Sequence, residues 1–329
     1  QSCPSLLLEP ASTNLVLDSN VGAYGNAPGS ELITTAPDGT NTAIIPVPDS
    51  NSDRYEQIVS GGTYTTGTNL TYSWYAKLIS PIAGTFYTGY LQVNIPINVT
   101  QVGSTIKVED SINGWAKYSA TFSITDGSLS STIRLYIGTV VGVGNQSVAY
   151  WGHQLEPNLS YATSLIPTNG SSQTRAAETC FGAGTASTFS DSEGVLYAEI
   201  ATNNLATFKN ISINDGSNSN RINLFIYNAA LSVNFDVGGV NQASLSYTIP
   251  NVLSFNKLAF SYKINEFKLF VNGTQRGSTD TSGIVPPINT FNKLSFNDSF
   301  GSPFYGNCKD IRVYNEALTD LQLQNLTTL

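Results

Sequence analysis

One histidine, three cysteines and 23 carboxylate side chains are the groups with which this chain could do chemistry. His153 shares its strand phase with Trp151 and Leu155, so it reads as a core imidazole with satisfied hydrogen bonds, not as a general base. A Ser-His-Asp system would have to use it, and no Gly-x-Ser-x-Gly elbow accompanies it. Glycoside hydrolysis needs two carboxyl groups set across a sugar bond with their pKa values pushed apart. No Glu-x-Asp-x-Glu strand is present, and Glu193 and Glu199 are too far apart to imitate one. The expectation is a non-catalytic protein. The cysteines, Cys3, Cys180 and Cys308, lack the C-x-x-C spacing of a zinc site and are too few for a disulfide scaffold.

Binding chemistry has more to work with, because aromatic faces stack on sugar rings. Trp74 and Trp151 lie on the apolar phase of their strands and are assigned to a core. Trp115 lies on the opposite phase from Tyr118 and Phe122, with Lys117 and Ser119. It is expected to be the exposed aromatic and the first glycan contact. Tyr87 and Tyr90, in a stretch that also includes Tyr55, Tyr64 and Phe86, are further candidates for a contact platform. Packing at strand bases is the competing use of these rings.

The elements that would hold such residues are strands. Charged residues make up 12% of the chain, while Gly, Ser, Thr, Asn and Tyr abound, a composition of short strands joined by polar turns. Apolar residues recur with period two at Leu70, Tyr72, Trp74 and Ala76, at Ala116 to Ile124, at Ile133 to Ile137, and at Ala149, Trp151, His153 and Leu155. The rhythm resumes at Leu196 to Ile200, Ile222 to Ile226, Leu231 to Val237, Leu258 to Tyr262 and Phe267 to Val271. Asn272-Gly273 is a two-residue hairpin signal, since a type I′ turn requires positive φ at both positions. Thr319 and Gln322 fit a capping box with Leu318 and Leu323 as its hydrophobic staple, predicting one short helix from Asp320 to Leu326. A small, polar stretch beyond Pro167 divides the chain into residues 1–178 and 179–329. The fold class expected is all-β, with two tandem antiparallel sandwiches of jelly-roll type and one C-terminal helix.

The net charge of −8 opposes nucleic-acid binding, and no apolar run reaches the ~20 residues that span a bilayer. The start at Gln1, without a Met anywhere or a basic-then-apolar leader, implies that sequence before it is missing.

Residues 3–10 (Cys-Pro-Ser-Leu-Leu-Leu-Glu-Pro), Ala36 to Thr40, Tyr72 to Lys77, Trp115 to Tyr118, Tyr150 to Glu156, Tyr161 to Thr168 and Thr174 to Ala177 are similar in order and spacing to bacteriophage structural proteins. Those proteins carry a carbohydrate-binding-module-like jelly roll. Ser192 to Ile200, Asn256 to Ala259, Phe270 to Gly273, and Gly306 to Tyr314 with Ala317 to Thr319 resemble a laminin-G-like, concanavalin-type lectin sandwich. The resemblance implies a virion surface component outside the cell: a tail fibre, head fibre or decoration that contacts other virion proteins and host-surface glycans, suited to a homotrimer. A purely structural decoration protein, a secreted bacterial adhesin and a lectin-fold glycosidase are the alternatives. For laminin-G-like domains the resemblance further implies calcium as a possible cofactor, with Asp215, Asn297, Asp298 and Asp310 as the oxygen donors to inspect. In a jelly roll the two chain ends run side by side, which makes a Cys3–Cys180 disulfide a hypothesis; Cys308 reads as a small buried hydrophobe.

Overall fold

The structure, a computed structural model, describes residues 5–20, 30–47, 55–59, 64–79, 90–93, 99–110, 112–125, 133–137, 148–205, 207–299 and 301–329. All of its strand pairings are antiparallel. Asp320–Thr327 is the one α-helix among the described residues, so the all-β sandwich class and the terminal helix are as the patterning predicts. No described helix is long and apolar enough to cross a membrane. The backbone divides into two compact units, residues 11–176 and residues 1–10 with 177–329.

In the 11–176 unit, six strands form one sheet in the order Ser30–Thr34, Ala43–Val47, Val148–Pro157, Asn69–Leu78, Trp115–Ile124, Val99–Asp110. Tyr55–Val59, Ile133–Ile137 and Tyr90–Val93 form a second, three-stranded sheet. Leu70, Tyr72, Trp74 and Ala76 share one face as expected and pack with Ala120, Phe122, Ile124 and Leu155. The opposite face is covered as well, by a smaller cluster of Ala43, Trp115, Ala149 and Trp151 with Tyr75 and Leu165.

A single phase through Ala149, Trp151, His153 and Leu155 does not hold. The register against Asn69–Leu78 shifts between Trp151 and Gln154, where Gly152 takes a φ of 64°. A Cβ on Gly152 would meet the Tyr75 ring at 2.9 Å, so only glycine fits this bulge. Trp151 therefore faces one side of the sheet and Leu155 the other.

The second unit is a sandwich of two sheets. One has the order Leu6–Leu8, Gly306–Tyr314, Glu193–Thr202, Asn256–Lys263, Glu266–Val271, Thr274–Gln275. The other has the order Val240–Thr248, Ala230–Val237, Arg221–Tyr227, Lys209–Asn214, Lys293–Ser295. Their inward phases, including Leu196, Leu224, Val233, Phe235, Phe260 and Leu269, form one buried core. At Asn272-Gly273 φ is 48° and 76°, and Val271 pairs with Thr274 across the turn. Both bonds of the Thr319–Gln322 capping box are present, and Leu323 and Leu318 pack with Tyr197 and Phe270 on the outer face of the six-stranded sheet.

The first ten residues depart from the 1–178 division, because Leu6–Leu8 is an edge strand of this second sandwich. Leu6 pairs with Cys308 and Leu8 with Gly306, and the Glu9 N–H donates to Glu178 Oε2 at 2.8 Å. Three consecutive leucines carry no alternation from which a partner strand could be read.

Candidate functional site

Trp115 is 2% exposed, which corrects its assignment as the exposed aromatic. Its strand phase is covered because Lys117 turns inward and its Nζ donates to the Thr163 carbonyl at 2.5 Å. Trp115→Ala is accordingly expected to cost ~3–5 kcal/mol of stability in urea unfolding and to leave ligand affinity of the folded protein unchanged. Tyr87 lies outside the described residues; Tyr90 sits opposite Tyr136 in its sheet, with its side chain outside them. Cys3 also lies outside them, and the Cys180 thiol is free. Cys308 is buried as expected, and burial pushes its thiol up to about 12.

His153 is 1% exposed, with Nδ1 2.7 Å from the Tyr72 hydroxyl. Burial lowers its pKa to about 4, so it is neutral and sealed at pH 7. Since the folded value lies below the unfolded one of about 6.5, stability is full above pH 6.5 and declines as pH falls toward 4. The expected loss across that window is ~3 kcal/mol from this group, read as a falling urea midpoint that His153→Gln makes shallower.

The surface with binding character is the outer face of the five-stranded sheet. Three rows cross it: Asn210–Phe225–Ser232–Ser246, Ser212–Asn223–Asn234–Ser244, and Asn214–Arg221–Asp236–Asn241. Asn210, Ser212, Asn214 and Asn223 are buried, the first two donating to backbone carbonyls, so the accessible amides and hydroxyls of these rows include those of Ser232, Asn234, Ser244 and Ser246. Phe208 stacks on Tyr227 at 4.4 Å and lies 5.8 Å from Phe225; Phe208 and Tyr227 are 49% and 39% exposed. The segment carrying Phe208 is tied down by Lys209, whose Nζ donates to Asn204 Oδ1 at 3.1 Å and to the Thr207 carbonyl at 2.8 Å. Asn223 is 5% exposed, and its Oδ1 is buried without a hydrogen-bond partner. None of these residues was singled out from sequence. The available signal was Arg221–Tyr227, where Ile222, Leu224 and Ile226 fill the inward phase while Phe225 and Tyr227 occupy the polar one.

Residues 183–324 match the family model Laminin_G_3, the concanavalin A-like lectin/glucanases superfamily. The matched residues lie within this second unit, which is lectin-like in that sense. No curated protein matches the chain. Among solved structures, the CBM40 module of the Ruminococcus gnavus IT-sialidase is 18% identical over 46% of this chain and 97% of that one, with a TM-score of 0.39. A heptameric SAP-like pentraxin from Limulus polyphemus is 13% identical over 44% and 72%, at 0.36. Mouse laminin alpha1 domains LG4-5 are 11% identical over 97% and 94%, at 0.31. At these scores none of the three speaks for a shared function.

The oxygen donors that the resemblance put forward for calcium each have partners within the chain. Asp310 is on the other sheet of the lectin-like unit, ion-paired to Arg312 at 2.5 Å. Asp215 accepts from the Ser217 N–H and hydroxyl and from Asn220 Nδ2; burial alone would raise its pKa, and these bonds bring it below the ordinary value. Asn297 Oδ1 and Asp298 Oδ1 cap the N–H groups of Ser299 and Ser302. A cation of the chain itself stands among these segments. Arg221 donates from Nε to Asp236 Oδ2 at 2.9 Å, and from Nη1 to Asn218 Oδ1 at 2.8 Å and the Asp298 carbonyl at 3.2 Å. Among the described residues no group of three or more His, Cys, Asp or Glu side chains is placed to hold a metal.

Proposed function

We propose that the protein is a non-catalytic surface component of a bacteriophage particle whose lectin-like unit binds host-surface glycans. The observation that carries the binding is the exposed Phe208–Tyr227 stack next to the amide and hydroxyl rows of the five-stranded sheet. Sugars present apolar C–H faces and a fringe of hydroxyls, and this surface offers rings for the first and donor–acceptor groups for the second. His153, the one histidine of the chain, is buried, which favours binding over catalysis. The placement on a virion rests on the motif resemblance of the N-terminal half. A shallow site binds weakly, so several copies, as in a homotrimer, would supply avidity. A glycan array probed with the protein tests the binding, and mass spectrometry of purified particles tests the placement. A blank array refutes the first, and absence from particles the second.

One observation favours a structural role besides. The twelve-residue edge strand Val99–Asp110 leaves Val102, Ile106 and Val108 exposed by 51%, 57% and 42%. A long edge with apolar side chains is a surface on which a neighbouring subunit could pair or pack. Ile106→Lys is expected to lower the self-association seen by light scattering; an unchanged mass for both proteins would remove this reading.

A further inference from the structure

The lectin-like unit carries a second concavity on its other sheet, beside the C-terminal helix. Strand register sets Glu199 between Lys257 and Asp310, and Tyr197 between Ala259 and Arg312. The helix covers part of these rows through Leu323. Next to it a groove of about 580 Å³ stays open, lined by Tyr314, Gln322 and Asn325 among others, with Tyr197 buried beneath it.

Its two carboxylates are already paired, and its lysine is bound to a backbone carbonyl. Arg312 reaches Asp310 at 2.5 Å, Lys309 lies 3.7 Å from Glu199, and Lys257 Nζ donates to the Thr328 carbonyl at 2.8 Å. An ionic ligand would gain little from a lining whose carboxylates each have a cation. Glycoside cleavage is equally ill served, since it requires one carboxyl to be kept protonated rather than ion-paired. What remains is a set of donors and acceptors around the half-buried Tyr314 ring. A sugar hydroxyl both donates and accepts, so it can use either kind. The volume is in the range of small-molecule pockets, roughly 300–1,000 Å³.

We infer that this groove is a second saccharide site, selective for an uncharged oligosaccharide and separate from the face that carries Phe208 and Tyr227. Amide NMR of the whole protein titrated with lactose, maltotriose and chitotriose, each to about 20 mM because shallow sites bind in the millimolar range, tests it. At least one sugar is expected to move the amides of Glu199, Arg312, Gln322 and Asn325 in a saturable way. Tyr314→Ala should weaken that response at least roughly fivefold, and Asn325→Ala, at an exposed helix position outside the Thr319–Gln322 cap, should weaken it without touching the fold. Phe208→Ala should leave it unchanged. Shifts confined to the Phe225 and Asn234 region would overturn the groove while sparing the proposed function. Shifts confined to the groove would do the reverse, and silence at the groove with all three sugars overturns the inference.

Discussion

Replacing both Phe208 and Tyr227 by alanine is expected to abolish glycan binding while the protein stays folded. The two rings stack on each other at 4.4 Å and are about half and two-fifths exposed, so neither belongs to the core that holds the sandwich together. Truncating exposed rings of this kind costs little stability, within ~1 kcal/mol. An aromatic anchor at the centre of a contact contributes about 2 kcal/mol or more, which is roughly 30-fold in affinity for each ring. The pair should therefore lower affinity by two or more orders of magnitude. Asn234→Ala, which removes an amide from the adjoining row, should cost about tenfold. Unaltered binding in the double variant would place the sugar elsewhere.

The second large effect is expected at Arg221. Its side chain is 16% exposed and that of Asp236 13%, and its donors join the turn at Asn218, the Ala230–Val237 strand and the Asp298 backbone. Removing one partner of a mostly buried pair leaves the other uncompensated, a loss of ~3 kcal/mol. For a unit of this size that corresponds to roughly 6–12 °C in Tm. Arg221→Lys keeps the charge and loses the fork, and should fall between. The same geometry predicts that the wild-type protein melts at the same temperature in EDTA and in millimolar calcium, because the guanidinium already bridges these oxygens. A calcium-dependent rise in the wild-type Tm would contradict this account of the rim.

Much of the fold was legible because local rules and tertiary packing agree in most of the chain. The inward phases of Ile222 to Ile226 and Leu231 to Val237, the Asn272-Gly273 hairpin and the Thr319–Gln322 cap are each decided by a few neighbouring residues. Where reading failed, the deciding contact was distant or the rhythm was interrupted. Gly152 shifts the phase within Val148–Pro157, although Ala149, Trp151 and Leu155 still alternate in sequence as if on one face. Trp115 sits on a polar phase that is nevertheless buried, because the sheet of the 11–176 unit is covered on both faces and Lys117 is buried with it. Leu6–Leu8 pairs with a strand some three hundred residues away. The candidate site was missed for a related reason. The tryptophans all lie in the first half, while the exposed rings are a phenylalanine and a tyrosine of the second sandwich.

A crystal structure of the protein with a glycan that it binds on an array tests the central claim most directly. The account predicts sugar density over the Phe208 and Tyr227 rings, with hydroxyls in hydrogen-bond reach of Asn234 or Ser232. Density only in the 11–176 unit, with the outer face of the five-stranded sheet bare, would contradict it.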